Sequence, residues 1–259
     1  MKLDSRASAA GVRLLAHDVL GSTNVEALRL ARQGERGPLW IVAKEQTAGR
    51  GRRGRSWTSD PGNLYASLLL TAPSPAEHWR ELSFVAALAI HDAIVEVAAE
   101  LKPLLAIKWP NDLLLAGAKL AGILIEGEGG EEGMVVVGIG VNCASHPADT
   151  DHPATDLATA GTRLSPDTLM AALSAKMLGR MAQWNRGEGF STIRADWLAR
   201  AAGLGEDLRV RLADREITGR FEALDERGGL VLRLPDGNAT TVAAGDVFIR
   251  TTAPAANAS

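Results

Sequence analysis

The sequence predicts an α+β protein in which apolar strands and amphipathic helices form one large unit that a small β-barrel follows. Apolar, β-branched runs alternate with segments whose apolar residues recur every three or four positions, as in helices. After Gly205 the pattern changes to five short runs bounded by turn residues, which is typical of a small barrel. With 259 residues, 46% hydrophobic and 23% charged, the chain is long and apolar enough to bury a full core.

The elements of the first part of the chain follow from local signals. Thr23-x-x-Glu26 fits a capping box that starts a helix, and Pro103 ends a long periodic helical segment. Short apolar runs between turn residues predict the strands. We predict strands at 14–20, 38–43 and 63–70, and helices at 23–33 and 81–100.

The later elements complete both units. We predict strands at 104–109, 120–126 and 134–142, a loop with short helical pieces at 145–166, and helices at 169–184 and 190–202. The barrel strands are predicted at 208–212, 216–224, 230–234, 240–243 and 247–250. These elements divide the chain into a large unit at 1–203, a small domain at 204–251 and a disordered tail at 252–259.

Composition excludes several classes of protein. A net charge of -3 and a pI near 6.0 give no general attraction to nucleic acid, so anion binding has to be local. The single cysteine, Cys143, excludes an internal disulfide and fits a reducing compartment. No apolar run is long enough to span a bilayer, and the first residues lack the apolar core of a signal peptide. We therefore expect a cytoplasmic protein without a membrane partner.

The segment between Gln46 and Thr58 is the most informative part of the chain. Four arginines lie among three glycines there: Arg50, Arg52, Arg53 and Arg55. Glycine lets the backbone approach a ligand closely, and arginine supplies a fork of donors for phosphate or carboxylate oxygens. Trp57 adds a flat apolar face on which a purine can stack. The pattern predicts a loop that closes over a nucleotide, and a short RNA-binding segment is the alternative.

Three further clusters contain candidate ligand-binding residues. Ser22-Thr23-Asn24 lies at a helix start, where it serves as an N-cap or fixes a small polar ligand. Gly138-Ile-Gly-Val-Asn142 has two glycines in a strand, which mark a bulge or the close approach of another group. Lys119 opens an otherwise apolar strand, where a lysine is costly unless an anion neutralises it. Asn111 and Asp112 are either turn residues or oxygen ligands for Mg²⁺ bound with substrate phosphates.

Taken in order, these clusters closely resemble those of the bacterial biotin–protein ligases. The matching segments are Ser22–Asn24, Gln46–Trp57, Asn63–Tyr65, Lys108–Asp112, Lys119–Leu124 and Gly138–Asn142. The resemblance implies a mixed β-sheet flanked by helices, of the class II synthetase and biotin ligase type, with an SH3-like C-terminal barrel. The resemblance is to the short form of the family, because the residues before Ser22 are too few to form an N-terminal helix-turn-helix domain. No DNA binding is therefore expected.

The resemblance also implies a role for individual residues. Catalysis is assigned to Lys119, Arg52 and Asp112. The residues implied to bind biotin are Ser22, Thr23, Asn24, Gln46, Arg50, Gly51, Arg52, Tyr65, Lys119, Gly122, Gly138 and Val141. Those implied to bind the nucleotide are Arg50, Arg52, Arg53, Arg55, Trp57, Lys119 and Asn142.

The implied reaction uses biotin, ATP and Mg²⁺. Biotin and ATP form biotinyl-5′-AMP, and biotin then passes to a lysine of a biotin carboxyl carrier protein or domain. The expected enzyme is a monomer or a weak homodimer. The rival enzyme is a lipoate ligase or octanoyltransferase of related fold, in which Cys143 and Lys119 form a dyad. The rival without enzymatic activity is an RNA-binding module, whose affinity depends steeply on salt.

Overall fold

A computed structural model describes residues 1–129, 133–148, 150 and 152–249. The helices are α1 (Ser5–Ala9), α2 (Thr23–Arg32), α3 (Leu82–Val97), α4 (Pro166–Trp184) and α5 (Phe190–Leu198). The strands are β1 (Arg13–Leu20), β2 (Leu39–Gln46), β3 (Leu64–Thr71), β4 (Leu105–Lys108), β5 (Asp112–Leu115), β6 (Ala118–Glu128), β7 (Met134–Val141), β8 (Asp207–Arg211), β9 (Glu216–Leu224), β10 (Leu230–Arg233), β11 (Ala239–Val242) and β12 (Asp246–Ile249).

The first seven strands form one mixed sheet in the order β1-β2-β3-β7-β6-β5-β4. Strands β1 and β2 run parallel, whereas each other neighbouring pair in this sheet runs antiparallel. The central strands β3 and β7 are nearly all apolar because both faces of the sheet are covered there. The expected α+β class, with a mixed sheet flanked by helices, is confirmed.

Alternate side chains of the central strands supply two apolar layers. On one face, Ile41 of β2 packs with Ala27 and Ala31 of α2. On the other face, Trp40 and Val42 belong to the large core that contains the apolar side chains of α3, α4 and α5. Among the helices of the described residues, α2 is therefore the one that covers this face, and Thr23 at its N-terminus lines an open cleft.

The last five strands form an antiparallel sheet in the order β11-β10-β9-β8-β12, which confirms the predicted small all-β C-terminal unit. Its buried side chains, including Phe221 and Leu232, join the same apolar core as the helices. The Trp109 indole Nε1 donates a 2.9 Å hydrogen bond to the carbonyl oxygen of Gly228. Phe84 lies so close to Gly228 that an added Cβ would be 2.7 Å from its ring. The two sheets are thus held together by apolar packing and a buried hydrogen bond.

Two sequence predictions near the site are wrong. Ser22 rather than Thr23 precedes α2, and it makes no side-chain capping hydrogen bond. The Thr23 hydroxyl instead donates to Oε1 of Gln46 at 3.1 Å. The segment that begins at Asp112 is strand β5, where a turn was the structural interpretation. Because β5 is short and directly follows the Pro-Asn turn, its apolar run is too brief to show a period.

Other boundaries differ in a simpler way. Helix α1 was not predicted, and α3 ends at Val97 before a short 3₁₀ segment that contains Pro103. Helix α4 begins at Pro166, where Ser165 caps it, and α5 ends at Leu198. No helix occurs in the described part of the predicted loop before Pro166, where α4 begins. The predicted tail at 252–259, together with Arg250, lies outside the described residues.

Candidate active site

One cleft brings together the N-terminus of α2, the Arg/Gly loop after β2, strands β6 and β7, and the start of β12. Its floor consists of glycines on neighbouring strands. Gly122 of β6 is paired with Gly140 of β7, and Leu124 is paired with Gly138. A Cβ at Gly122 would lie 2.9 Å from the Trp57 ring, and one at Gly138 would collide with the Asn24 amide. Only glycine permits these side chains to approach the sheet so closely.

The Arg/Gly loop folds back on itself above this floor. The backbone N–H of Gly51 donates to the carbonyl oxygen of Arg55 at 2.7 Å, and Arg53 between them has a φ of 56°. Trp57, at the end of the loop, lies flat on the floor, where a Cβ at Gly140 would be 2.6 Å from its ring atoms. Its Nε1 is buried and has no hydrogen-bond partner among the described residues. The indole therefore occupies part of the cleft in this conformation.

Neutral polar side chains line the end of the cleft nearest α2. Gln46 Oε1 accepts a 2.8 Å hydrogen bond from the backbone N–H of Thr23. Ser67 Oγ lies 2.7 Å from Thr23 Oγ1 and 2.6 Å from Asn24 Oδ1. Asn24 Nδ2 donates to Glu126 at 2.9 Å. Since Thr23, Asn24 and Ser67 are buried, this network presents fixed amide and hydroxyl groups to a small polar ligand.

Cations gather at the opposite end. Lys119 Nζ lies 2.8 Å from Asp112 Oδ1 and 5.4 Å from the centre of the Trp57 ring. The Asp112 Oδ1 atom is buried, and the ion pair lacks hydrogen-bond geometry, so no hydrogen bond reaches this oxygen from the described residues. Arg52 Nη1 donates to Asn111 Oδ1 at 2.7 Å. Lys108 is buried, and neither a hydrogen bond nor an ion pair involves its ammonium group in the described part of the chain.

Burial lowers the pKa of two of these groups. Desolvation lowers the pKa of Lys108, although the Asp112 carboxylate opposes the shift. Desolvation likewise lowers the pKa of Arg52, against the attraction of Asp112. Both cations are therefore held in surroundings that lack sufficient negative charge. An anionic ligand that entered the cleft would supply it.

A single carboxylate of the C-terminal sheet holds the loop. Asp246 Oδ2, on β12, lies 2.5 Å from Nη2 of Arg55, 3.2 Å from Nη1 of Arg53 and 3.6 Å from Nη2 of Arg211. Burial alone would raise the pKa of Asp246, but the hydrogen bond from Arg55 and the nearby guanidinium charges outweigh it and lower that pKa. Its side chain is only 10% exposed. The C-terminal sheet thus anchors the Arg/Gly loop electrostatically.

Most of the predicted site residues line this cleft: Ser22, Thr23, Asn24, Gln46, Arg50, Gly51, Arg52, Arg55, Trp57, Asp112, Lys119, Gly122 and Gly138. Four others lie outside it. Arg53 turns toward Asp246, and the Tyr65 hydroxyl donates to the carbonyl oxygen of Asp60 at 2.8 Å. Val141 is fully buried in the core, and Asn142 Nδ2 donates to the carbonyl oxygen of Thr155 at 3.0 Å.

Sequence reasoning assigned no role to several residues that line the cleft, among them Lys108, His152 and Asp246. Lys108 is the first residue of the Lys-Trp-Pro-Asn-Asp motif, which ends at Asp112. Its place in that motif could have identified it as a site residue. Asp246 follows Gly245 in the last strand and is 191 residues from Arg55. No local pattern links such distant positions.

Burial also decides against a nucleophilic cysteine. Cys143 is 2% exposed, and its Sγ lies 3.6 Å from the carbonyl oxygen of Val141. Desolvation raises the pKa of this thiol to about 12. A thiolate is therefore disfavoured at neutral pH, which argues against the Cys143–Lys119 dyad of the rival acyltransferase.

Neither a metal-binding cluster nor a membrane-spanning helix is found among the described residues. No group of three or more His, Cys, Asp or Glu side chains is arranged there to hold a metal ion. None of the helices in the described ranges combines the length and apolarity that crossing a bilayer requires.

Comparisons with known proteins agree with this geometry. The Biotin/lipoate A/B protein ligase family matches residues 18–142, and the Biotin protein ligase C terminal domain matches residues 203–250. The biotin–[acetyl-CoA-carboxylase] ligase of Paracoccus denitrificans is 43% identical over 235 residues, which are 88% of this chain and 96% of that protein.

Two solved structures share the fold over nearly the whole chain. The Aquifex aeolicus biotin protein ligase in complex with biotin and ATP is 27% identical, with a TM-score of 0.77, and the match covers 92% of this chain and 98% of that one. The Leishmania major enzyme in complex with biotinyl-5-AMP is 28% identical, with a TM-score of 0.64 and coverages of 90% and 99%. The shared fold, the two matched family regions and the identity over most of the chain show that this protein belongs to the biotin–protein ligase family.

Proposed function

We propose that the chain is an ATP-dependent biotin–protein ligase that makes biotinyl-5′-AMP and transfers its biotinyl group to a lysine of a carrier protein or domain. The observation that carries this proposal is the division of one cleft into a neutral polar end and a cationic end over a glycine floor. Biotin has the same division, with a ureido ring at one end and a carboxylate at the other. The nucleotide phosphates then share the cationic end with that carboxylate.

The polar end suits the ureido group. This group offers one carbonyl acceptor and two N–H donors, so it requires both kinds of partner. The hydroxyl and amide groups of Ser22, Thr23, Asn24 and Gln46 supply donors and acceptors within a buried network. Because Thr23 is bonded to Gln46, and Ser67 bridges Thr23 and Asn24, these side chains need little ordering on binding.

The cationic end supports the first half-reaction. A biotin carboxylate oxygen attacks the α-phosphorus of ATP, the bond from that phosphorus to the bridging oxygen breaks, and pyrophosphate leaves. Two anions approach one another in this step, so repulsion dominates its barrier. Lys119, Arg52 and Lys108 place positive charge where the anions meet, and Lys119 is poised to exchange Asp112 for the new carboxylate or phosphate.

The residues present fit a Mg²⁺ ion that arrives with ATP. Magnesium is usually held by one or two protein carboxylates, substrate phosphates and water. Asp112 offers a buried carboxylate oxygen without a hydrogen-bond donor, and Asn111 is adjacent to it. When bound, the ion would neutralise phosphate charge and favour departure of pyrophosphate.

The second half-reaction transfers the biotinyl group. The neutral amine of the acceptor lysine attacks the carbonyl carbon of the mixed anhydride, a C–N bond forms, the C–O bond to phosphate breaks, and AMP leaves. Asp112 accepts the amine proton in this proposal. The Arg/Gly loop, held over the cleft by Asp246, excludes water that would otherwise hydrolyse the anhydride.

Biotin-dependent exchange of labelled pyrophosphate into ATP tests the first step directly. We expect exchange with biotin and ATP together, and labelling of an apo carrier domain when that acceptor is added. Calorimetric titration with biotin and then with lipoate separates the ligase from its rival. Tight binding of lipoate with no response to biotin would refute the proposal.

Three further properties stay predictions. The enzyme is expected to be cytoplasmic, monomeric or weakly dimeric, and unable to bind DNA. Analytical ultracentrifugation across a range of protein concentrations measures the oligomeric state, and a DNA mobility-shift assay measures binding to duplex DNA.

A further inference from the structure

A second cleft lies beside the active site and is basic. It is formed where the start of α3, the Trp109–Asn111 turn, strand β6 and the β9–β10 turn meet. Three arginines line it, Arg52, Arg80 and Arg227, and no acidic side chain does so among the described residues. We call it the arginine cleft. It shares Arg52 and Asn111 with the active site, so the two spaces are neighbours.

Two of the three arginines of this cleft lack internal partners, whereas Arg52 donates to Asn111. Arg80 and Arg227 are exposed. Neither guanidinium group takes part in a hydrogen bond or ion pair within the described ranges. Two carboxylates close to them in sequence are engaged elsewhere. Asp225 accepts hydrogen bonds from the backbone of Arg227 and Gly229 at 2.8 and 2.7 Å, and Glu81 accepts one from the Trp184 indole.

The cleft is preformed rather than flexible. The 2.9 Å hydrogen bond from Trp109 to Gly228 fixes the β9–β10 turn against the catalytic sheet, and Asp225 closes that turn. Arg227 therefore projects from a rigid position. An unneutralised basic surface of this kind, in a chain with a net charge of -3, requires a local explanation.

The proposal rests on the function proposed above. We propose that the arginine cleft docks an acidic segment of the protein acceptor, so that the acceptor lysine reaches the adenylate past Arg52 and Asn111. Two features favour a protein over the phosphates of ATP. The cleft has apolar walls from Phe84 and Ile125, which suit side chains better than a bare phosphate. The active site already contains its own cations at Lys108 and Lys119.

Charge reversal separates docking from chemistry. The test variants are Arg80→Glu, Arg227→Glu and the double variant, each measured with an apo biotin carboxyl carrier domain as acceptor. The matched control is Arg215→Glu, an exposed arginine in the β8–β9 turn of the same C-terminal sheet. Because both target side chains are exposed, the fold should survive, and thermal unfolding verifies it.

We expect the double variant to raise the KM for the carrier about tenfold or more, with the larger part of the change in association rate. Biotin-dependent pyrophosphate exchange and transfer of biotin to hydroxylamine should stay at the level of the unmodified enzyme. The KM for the carrier should rise with ionic strength in the unmodified enzyme and less so in the double variant.

Each outcome is decisive. An unchanged KM for the carrier would overturn the docking proposal, as would a comparable loss with Arg215→Glu. A raised KM for ATP or slower pyrophosphate exchange would assign the cleft to phosphate binding instead. If the unmodified enzyme showed no biotin-dependent exchange, the proposed function itself would fail, which is a different result from a failure of docking.

Discussion

Replacement of Asp246 by asparagine tests whether the C-terminal sheet controls the Arg/Gly loop. The change removes one negative charge from a carboxylate that pairs with Arg55 at 2.5 Å and with Arg53 at 3.2 Å. The two arginine side chains are 47% and 37% exposed, so solvent screens both pairs. We assign about 1 kcal/mol to each pair, at the upper end for exposed pairs, because the carboxylate is nearly buried. Asparagine can still form a neutral hydrogen bond, so the free energy that favours the closed loop falls by about 1–2 kcal/mol.

That loss corresponds to an increase of roughly 5- to 30-fold in the population of the open loop. Two assays measure it. Trypsin cleavage after the loop arginines should accelerate by this factor, because proteolysis follows the open population when opening is fast. Release of preformed biotinyl-5′-AMP, followed by rapid gel filtration, should accelerate in parallel. Asp246→Glu keeps the charge and should show a smaller change.

Glu216→Gln is the matched control, since Glu216 pairs with Arg209 at 3.2 Å on the same sheet and does not contact the loop. Equal cleavage and equal release in Asp246→Asn and the unmodified enzyme would refute the anchoring role. The pH dependence gives a second test. The pKa of Asp246 is lowered below its ordinary 3.8, so the carboxylate is charged at neutral pH. Loop protection should therefore be constant from neutral pH down to about pH 5 and be lost as pH falls through the lowered pKa.

The remaining predictions concern the cleft itself. Lys119→Ala should slow pyrophosphate exchange about 10²- to 10³-fold with the melting temperature preserved, and near-normal exchange would remove its assigned role. Arg52→Ala should release biotinyl-5′-AMP faster, measured as labelling of bystander lysines, and unchanged release would contradict loop closure. Gly140→Ala should displace Trp57, since the new Cβ would meet the ring at 2.6 Å, and biotin titrations should show weaker binding. Cys143→Ser should leave ligation intact, whereas a loss of orders of magnitude would revive the acyltransferase mechanism.

The sequence predicts those parts of the site that come from short, continuous motifs. Ser22–Asn24 and Gln46 reach the cleft because each lies at the end of a strongly patterned element, and the glycines of β6 and β7 mark the close approach of Asn24 and Trp57. Val141, which the family resemblance adds to the biotin site, does not line the cleft with its side chain. Side chains of a strand alternate between faces, so Val141 points away from Gly138 and Gly140 and into the core.

Contacts between segments that are far apart in the sequence could not be predicted from local patterns. The Lys119–Asp112 pair depends on strand β5, which pairs with β6 but whose few residues show no period. The Asp246–Arg55 contact joins positions 191 residues apart and depends on how the two sheets pack. Local patterns determine elements, whereas the packing of elements determines such pairs.

The anchor of the Arg/Gly loop is in the last strand of the described structure, and this has a consequence for biosynthesis. During translation the seven-stranded sheet and its glycine floor can form while Asp246 is still inside the ribosome. A chain at that stage, or one clipped before β12, already contains every cation of the cleft yet lacks the carboxylate that pairs with Arg53 and Arg55. Such a fragment is expected to release its reactive anhydride to surrounding amines faster than the full chain does, so completion of β12 limits stray biotinylation.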